Sequence, residues 1–307
     1  MKIDVVFEGG GVKGIGLLGA VCCLEDRGYE IQNYAGSSAG AMIAALLASG
    51  YKGRELSKII LNMDYEVFLD KRKFKDFMPF SISENIIRLI KDKGIYSGDP
   101  IEEYIKQLLI KKDKVKFKHI SVNGKSPLKI IASDITKGDM LILPDDLVKY
   151  GINPMEFEIS NAVRMSISIP FFFKPEKLKY NDEISYVVDG GILSNYPIWI
   201  FDVQGTPRWP TFGMKLVDEN KSYTSRSKTD IVSYSLDIIS AMLNKNEEIY
   251  VKDKDWVRTI SIPTLGVGTT DFSLKKEKAL QLFQAGYKSA EEFLRNWNFE
   301  KYKNDYR

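Results

Sequence analysis

Ser38 stands in Gly36-Ser37-Ser38-Ala39-Gly40, a Gly-x-Ser-x-Gly pattern between a short strand candidate, Ile31–Ala35, and a helix pattern rich in small residues. Small neighbours let the chain turn sharply enough to hold a serine hydroxyl in the open, where it can attack a carbonyl. Alone, the pattern also suits a plain N-cap serine on a helix over Ala39–Ser49. A second turn, Gly9-Gly10-Gly11-Val12-Lys13-Gly14, likewise follows a strand pattern and opens a helix pattern. Its row of backbone amides at a helix N-terminus suits negative charge. One turn can then supply a nucleophile and the other the oxyanion donors, on one edge of a sheet, as acyl transfer requires.

A serine nucleophile needs a base. The chain has one histidine, His119, in the charged segment Lys116-Phe117-Lys118-His119-Ile120 that leads into a strand pattern at Leu128–Ser133. Nothing there resembles a turn that presents a catalytic imidazole, and one histidine cannot build a multi-histidine metal site. The expected base is a carboxylate. Asp189 ends the apolar run Val187-Val188 and is followed by Gly190-Gly191. A carboxylate leaving a buried strand can have a raised pKa and accept a serine proton. Asp-Gly-Gly also reads as a plain turn. Asp134, after the run Ile130–Ser133, is the rival carboxylate but lacks the glycine pair.

Gly9-x-Gly11-x-x-Gly14 also fits the spacing of a dinucleotide-binding turn, which would make the chain a nucleotide-binding oxidoreductase. That chemistry needs an acidic side chain at the end of the second strand. Here the second strand pattern, Ile31–Ala35, runs into Gly36-Ser37-Ser38, and Glu30 precedes it. Lys13 is not placed as in a P-loop.

Positioning these turns requires strands that end on one edge. Lys2–Glu8 is an apolar run rich in Val and Ile, and Ile15–Arg27 follows it with helical length. Strand-turn-helix twice in succession predicts an α/β architecture with a parallel central sheet. Residues 51–118 read as mostly helical, with patterns at Arg54–Asn62, Ser83–Lys93 and Asp99–Lys112, and look like an inserted cap. Further strands are expected at Leu128–Ser133, Met140–Leu143, Ser185–Val188, Thr211–Leu216 and Trp256–Ile262. Further helices are expected at Pro154–Ile167, near Asp230–Lys245 and near Ser273–Asn296.

The 44 basic and 41 acidic residues leave a net charge of +3, with lysines interleaved among acids; this is no nucleic-acid binder. No leader pattern and no transmembrane run are read from the sequence, so the expected location is cytoplasmic. Cys22 and Cys23, adjacent and on a helix pattern, read as small packing residues.

The four blocks Gly9–Gly14, Gly36–Gly40, Ala162-Val163-Arg164-Met165-Ser166-Ile167-Ser168-Ile169-Pro170 with Phe173-Lys174-Pro175, and Asp189-Gly190-Gly191, in this order, resemble the patatin-like phospholipases of bacteria. Pro210-Thr211-Phe212-Gly213 is similar as well. The resemblance implies a three-layer α/β/α sandwich with a mainly parallel central sheet, formed as one domain over residues 1–307 with the cap at about 51–118. It implies a Ser-Asp dyad: Ser38 as nucleophile, Asp189 as base, and an oxyanion hole from amides around Gly10, Gly11 and Val12. Gly9, Lys13, Gly14, Gly36, Gly40, Gly190 and Gly191 would support these motifs, with Lys13 favouring nearby negative charge such as a lipid phosphate. The implied activity is a lipid acyl hydrolase of the phospholipase A or lysophospholipase type, acting on a phospholipid or other glycerolipid through an acyl-enzyme. No cofactor or metal enters this scheme. The alternative on the same fold is a catalytically silent lipid-sensing module. Peripheral membrane contact is expected, with Phe171-Phe172-Phe173 and the basic, aromatic segment Phe68–Phe80 as candidates for an acyl tunnel and a membrane-facing lid.

Overall fold

The computed structural model describes residues 1–63, 89, 91–218, 241–242, 253–269, 271 and 274–306. Strand β1 (Lys2–Phe7) is buried from Ile3 onward, as expected of a parallel strand covered on both faces. Helix α1 (Ile15–Asp26) leads to β2 (Glu30–Ser37), and α2 (Ala39–Ala48) and α3 (Gly53–Leu61) follow. After β3 (Gly94–Tyr96) and α4 (Asp99–Ile110) comes the hairpin of β4 (Leu128–Asp134) and β5 (Asp139–Leu143). Next are α5 (Ile159–Ser166), β6 (Phe171–Phe173), β7 (Glu176–Tyr180), β8 (Glu183–Asp189) and the single turn α6 (Gly191–Ser194). The last elements are β9 (Thr211–Val217), α7 (Asp253–Trp256), β10 (Thr259–Pro263), α8 (Lys276–Asn296) and α9 (Phe299–Tyr306).

Among the described residues, eight strands form one sheet in the order β10-β9-β1-β2-β4-β8-β7, with β5 paired to β4 off this path. The five strands from β10 to β4 are mutually parallel, while β5 and β8 run antiparallel to β4 and β7 antiparallel to β8. The α/β fold with a mainly parallel sheet therefore holds, and the antiparallel additions sit at one side. Side chains alternate along β1: Val5 and Phe7 join the main core with α1 and α2, whereas Val6 and Ala35 pack on the other face against Tyr196 and Ile198.

Register at β4 does the positioning. Ile130 and Ile131 pair with Gly36 and Ser37 of β2 and also with Leu143 and Ile142 of β5. Ala132–Asp134 pair with β5 and with Val187–Asp189 of β8. Since β5 occupies one edge throughout, β2 and β8 share the other, tip to tip. Ser37 lies opposite Ile131 and Asp189 opposite Ala132, so the ends of two strands far apart in sequence converge.

Residues 51–118 are less purely helical than expected. Helices α3 and α4 match two of the three patterns, but Gly94–Tyr96 is a strand, because it finds a parallel partner in Phe171–Phe173. Those phenylalanines are correspondingly less available. Phe172 and Phe173 are buried and pack their rings against Tyr96 at 4.9 and 6.4 Å, which leaves Phe171 as the exposed member. Phe68–Phe80 and most of Ser83–Lys93 and Asp230–Lys245 lie outside the described residues.

Helices α1 and α8 pack backbone to backbone. A methyl built on Gly286 would overlap the Gly16 carbonyl oxygen, and one on Gly19 would overlap the Phe283 carbonyl oxygen. Two effects compete in Gly286→Ala: helix propensity favours alanine by about 1 kcal/mol, while overpacking a close contact costs about 1–3 kcal/mol. With main chain as the clashing group, the second effect wins. Gly286→Ala is expected to lower the urea midpoint of unfolding by an amount worth about 1 kcal/mol or more; a raised midpoint would contradict the close approach.

Candidate active site

Ser38 begins where β2 ends, at φ 52° and ψ −127°, a conformation costing a non-glycine residue about 1–3 kcal/mol. The surroundings enforce it. A Cβ on Gly36 would overlap the Gly40 main chain, and a Cβ on Gly40 would sit 2.6 Å from the carbonyl oxygens of Phe7 and Glu8. The Ser38 N–H donates to Ser166 Oγ at 2.9 Å, and Ser166 Oγ donates to the Ile131 carbonyl at 2.5 Å. The Ser38 carbonyl accepts from the Ala41 and Met42 amides and so starts α2. With its main chain thus committed, Ser38 presents its hydroxyl to the carboxylate of Asp189.

Asp189 is fully buried. Its N–H donates to the Ser168 carbonyl at 2.9 Å, and its Oδ1 accepts from the Gly191 N–H at 2.8 Å. Among the described residues no donor meets Oδ2 in full hydrogen-bond geometry, and the Ser38 hydroxyl is the neighbouring donor. Burial pushes the carboxyl up to about 7, against the Ser38 hydroxyl and the Gly191 amide, which favour the ionised form. The rival carboxylate is occupied. Asp134 accepts from the Tyr150 hydroxyl at 2.6 Å and from the Thr136 and Lys137 amides at 2.9 and 3.1 Å. Burial acts to raise its pKa, but these bonds and one to Ser185 hold it below the ordinary value. His119 is exposed, and its Nδ1 accepts from the Val115 and Lys116 amides at 3.2 Å, a local cap remote in role from Ser38.

The glycine turn lies alongside. Its Gly9 N–H donates to the Asn195 carbonyl at 3.1 Å, and Asn195 Nδ2 donates back to the Gly9 carbonyl at 3.2 Å. Asn195 follows α6, so the turn is tied directly to the chain leaving Asp189. Among the described residues the Gly10 and Gly11 amides donate to nothing, whereas the Val12 N–H donates to the Thr269 carbonyl at 3.2 Å. Lys13 is buried, with its Cε 3.6 Å from where a Cβ on Gly10 would stand. Gly14 opens onto α2 near Ala39 and Ile43. Glu30, the acid weighed for a dinucleotide site, starts β2 at the end away from this turn.

Ser166, Asn195, Glu8 and Lys215 also belong to this cluster without having been singled out as site residues. Ser166 sits inside the block Ala162–Pro170, and Glu8 directly precedes the glycine turn, so both had a positional signal. Asn195 and Lys215 had none. Among the described residues no group of three His, Cys, Asp or Glu side chains could hold a metal ion, and no helix is long and apolar enough to cross a membrane.

Comparison with known proteins identifies the family of the chain. A sequence model described as patatin-like phospholipase matches residues 5–202. The protein YqhO of Bacillus subtilis (strain 168) is 39% identical over 302 residues, covering 97% of this chain and all of YqhO. A probable lipid hydrolase, 463L, of Invertebrate iridescent virus 6 is 28% identical over 199 residues, covering 63% of this chain and 61% of the viral protein. Among solved structures, VipD from Legionella pneumophila superposes with a TM-score of 0.56 at 20% identity, over 96% of this chain and 67% of VipD, a likeness of fold. The chain belongs to the patatin-like phospholipase family.

Proposed function

We propose that the protein is a lipid acyl hydrolase working through a Ser38–Asp189 dyad. The observation that carries this is the strained Ser38, its hydroxyl set against a buried carboxylate whose pKa burial raises to about 7. Family membership and the likeness to the viral protein, itself a probable lipid hydrolase, support the substrate class. Asp189 takes the hydroxyl proton as Ser38 Oγ attacks the ester carbonyl. The resulting oxyanion is held by the Gly10 and Gly11 amides, and Val12 can join only when the Thr269 carbonyl yields its amide. Collapse breaks the ester C–O bond, and Asp189 returns the proton to the departing alcohol. Water then attacks the acyl-serine, giving its proton to Asp189 while the acid leaves and Ser38 recovers its hydroxyl. The substrate is a phospholipid or other glycerolipid met at a membrane or micelle surface, with Lys13 favouring its negative charge.

Ser38→Ala is expected to abolish release of fatty acid from phospholipid vesicles while leaving the unfolding midpoint unchanged or raised, because alanine removes only the hydroxyl. Normal hydrolysis by this variant would exclude Ser38 as nucleophile. As Asp189 must be ionised to act, kcat/KM should rise about tenfold per pH unit below 7 and level off above it, with a midpoint near the carboxyl pKa of about 7. A pH-independent rate between 5 and 8 would contradict the assignment.

The same shift makes a stability prediction of definite sign. Asp189 holds its proton more tightly folded, at about 7, than unfolded, near 3.8, so its ionisation costs folding energy as pH rises between these values and costs its full amount above 7. Asp189→Asn mimics the protonated form. It should match the wild type in stability below pH 4 and exceed it above pH 7 by up to roughly 4 kcal/mol. Equal stabilities at pH 8 in urea titrations would show that burial imposes no such cost.

A further inference from the structure

The Gly10 and Gly11 amides are aimed by whatever fixes the point at which β1 leaves the sheet. That point is Glu8. Its N–H donates to the Met214 carbonyl at 3.1 Å, continuing the parallel β1–β9 ladder in which Phe7 lies opposite Met214. The next rung of a parallel ladder would run from the Leu216 N–H to the Glu8 main-chain carbonyl. Instead, the Leu216 N–H donates to Glu8 Oε2, and the Glu8 carbonyl turns toward α2, 2.6 Å from the position a Cβ on Gly40 would take. A side-chain oxygen thus completes the ladder at the residue where the main chain departs. The other carboxylate oxygen, Oε1, accepts from Lys215 Nζ at 2.8 Å, with the two side chains 3% and 5% exposed. Lys13 adds a second positive charge close to Glu8.

We propose that Glu8 and Lys215 are positioning residues, whose buried ion pair replaces the missing rung and so aims the Gly10 and Gly11 amides at the oxyanion. This rests on Ser38 being the nucleophile. Losing one oxyanion donor costs on the order of 10²–10³ in rate, and misaiming two without removing them costs part of that. Because the amides act on charge that develops after binding, the loss falls on kcat and spares KM.

The test measures kcat and KM for a short-chain p-nitrophenyl ester, per folded molecule as counted by circular dichroism. Glu8→Leu, which offers Leu216 no acceptor, should lose about 10- to 100-fold in kcat with KM within about twofold. Glu8→Gln keeps an oxygen for the Leu216 N–H and should retain several times more kcat than Glu8→Leu, and Lys215→Arg, which keeps the ion pair, should stay within about threefold of wild type. All should keep the pH midpoint near 7, since Asp189 is untouched. A wild-type kcat per folded Glu8→Leu molecule, a loss confined to KM, or failure of both Glu8 variants to fold would overturn the positioning role. Ser38→Ala in the same assay separates the two claims: activity there sinks the nucleophile, whereas inactivity there beside a wild-type kcat for Glu8→Leu sinks only the positioning.

Discussion

The site depends on one edge of β4 being shared by two strands. A strand edge offers a single row of hydrogen-bonding groups, and here β2 uses it up to Ile131 while β8 uses it from Ala132 onward. The two strands approach from opposite directions, so their C-terminal ends must meet. Ser38 is the first residue past one end and Asp189 the last of the other. No long loop has to be held in place for the hydroxyl and the carboxylate to face each other. Ser166, which links the Ser38 amide to the Ile131 carbonyl at the junction, fastens the seam.

What burial does to a carboxylate there depends on its depth and on its hydrogen bonds, and the protein contains both outcomes. Neither Asp134 nor Asp189 is accessible to water, but Asp189 is set deeper and burial weighs more heavily on it. The first is met by a tyrosine hydroxyl and two amides and is held in its charged form; the second has one amide and a serine hydroxyl, and its proton affinity rises. A saturated buried carboxylate is a structural acceptor, whereas an under-supplied one retains appetite for a proton. Placing the under-supplied one against Ser38 is what lets the proposed dyad work without imidazole.

Much of this was legible in the residues. The strands β1 and β4 announce themselves as apolar runs, and the Gly-x-Ser-x-Gly pattern follows from the backbone crowding at Gly36 and Gly40. His119 stands apart from both turns, which leaves carboxylates as the candidate bases. Asp189 and Asp134 both end apolar strands, and the glycine pair after Asp189 is what favours it in the sequence; the donors that occupy Asp134, from Tyr150 and Ser185, become visible only in the fold. The strand Gly94–Tyr96 was hidden for a similar reason, as its partner Phe171–Phe173 is 77 positions away by register. Lys215 reads as an ordinary polar residue on a strand until the fold sets it against Glu8. Local periodicity records which elements form, and pairings across the sheet decide what they bring together.

The most direct test of the central claim is the rate at which a fluorophosphonate labels Ser38, followed by mass spectrometry against pH in the wild type and in Asp189→Asn. If Asp189 takes the serine proton, wild-type labelling rises through a midpoint near 7, and the variant labels slowly with no such midpoint. Equal rates and the same midpoint in both proteins would show that Asp189 is not the base.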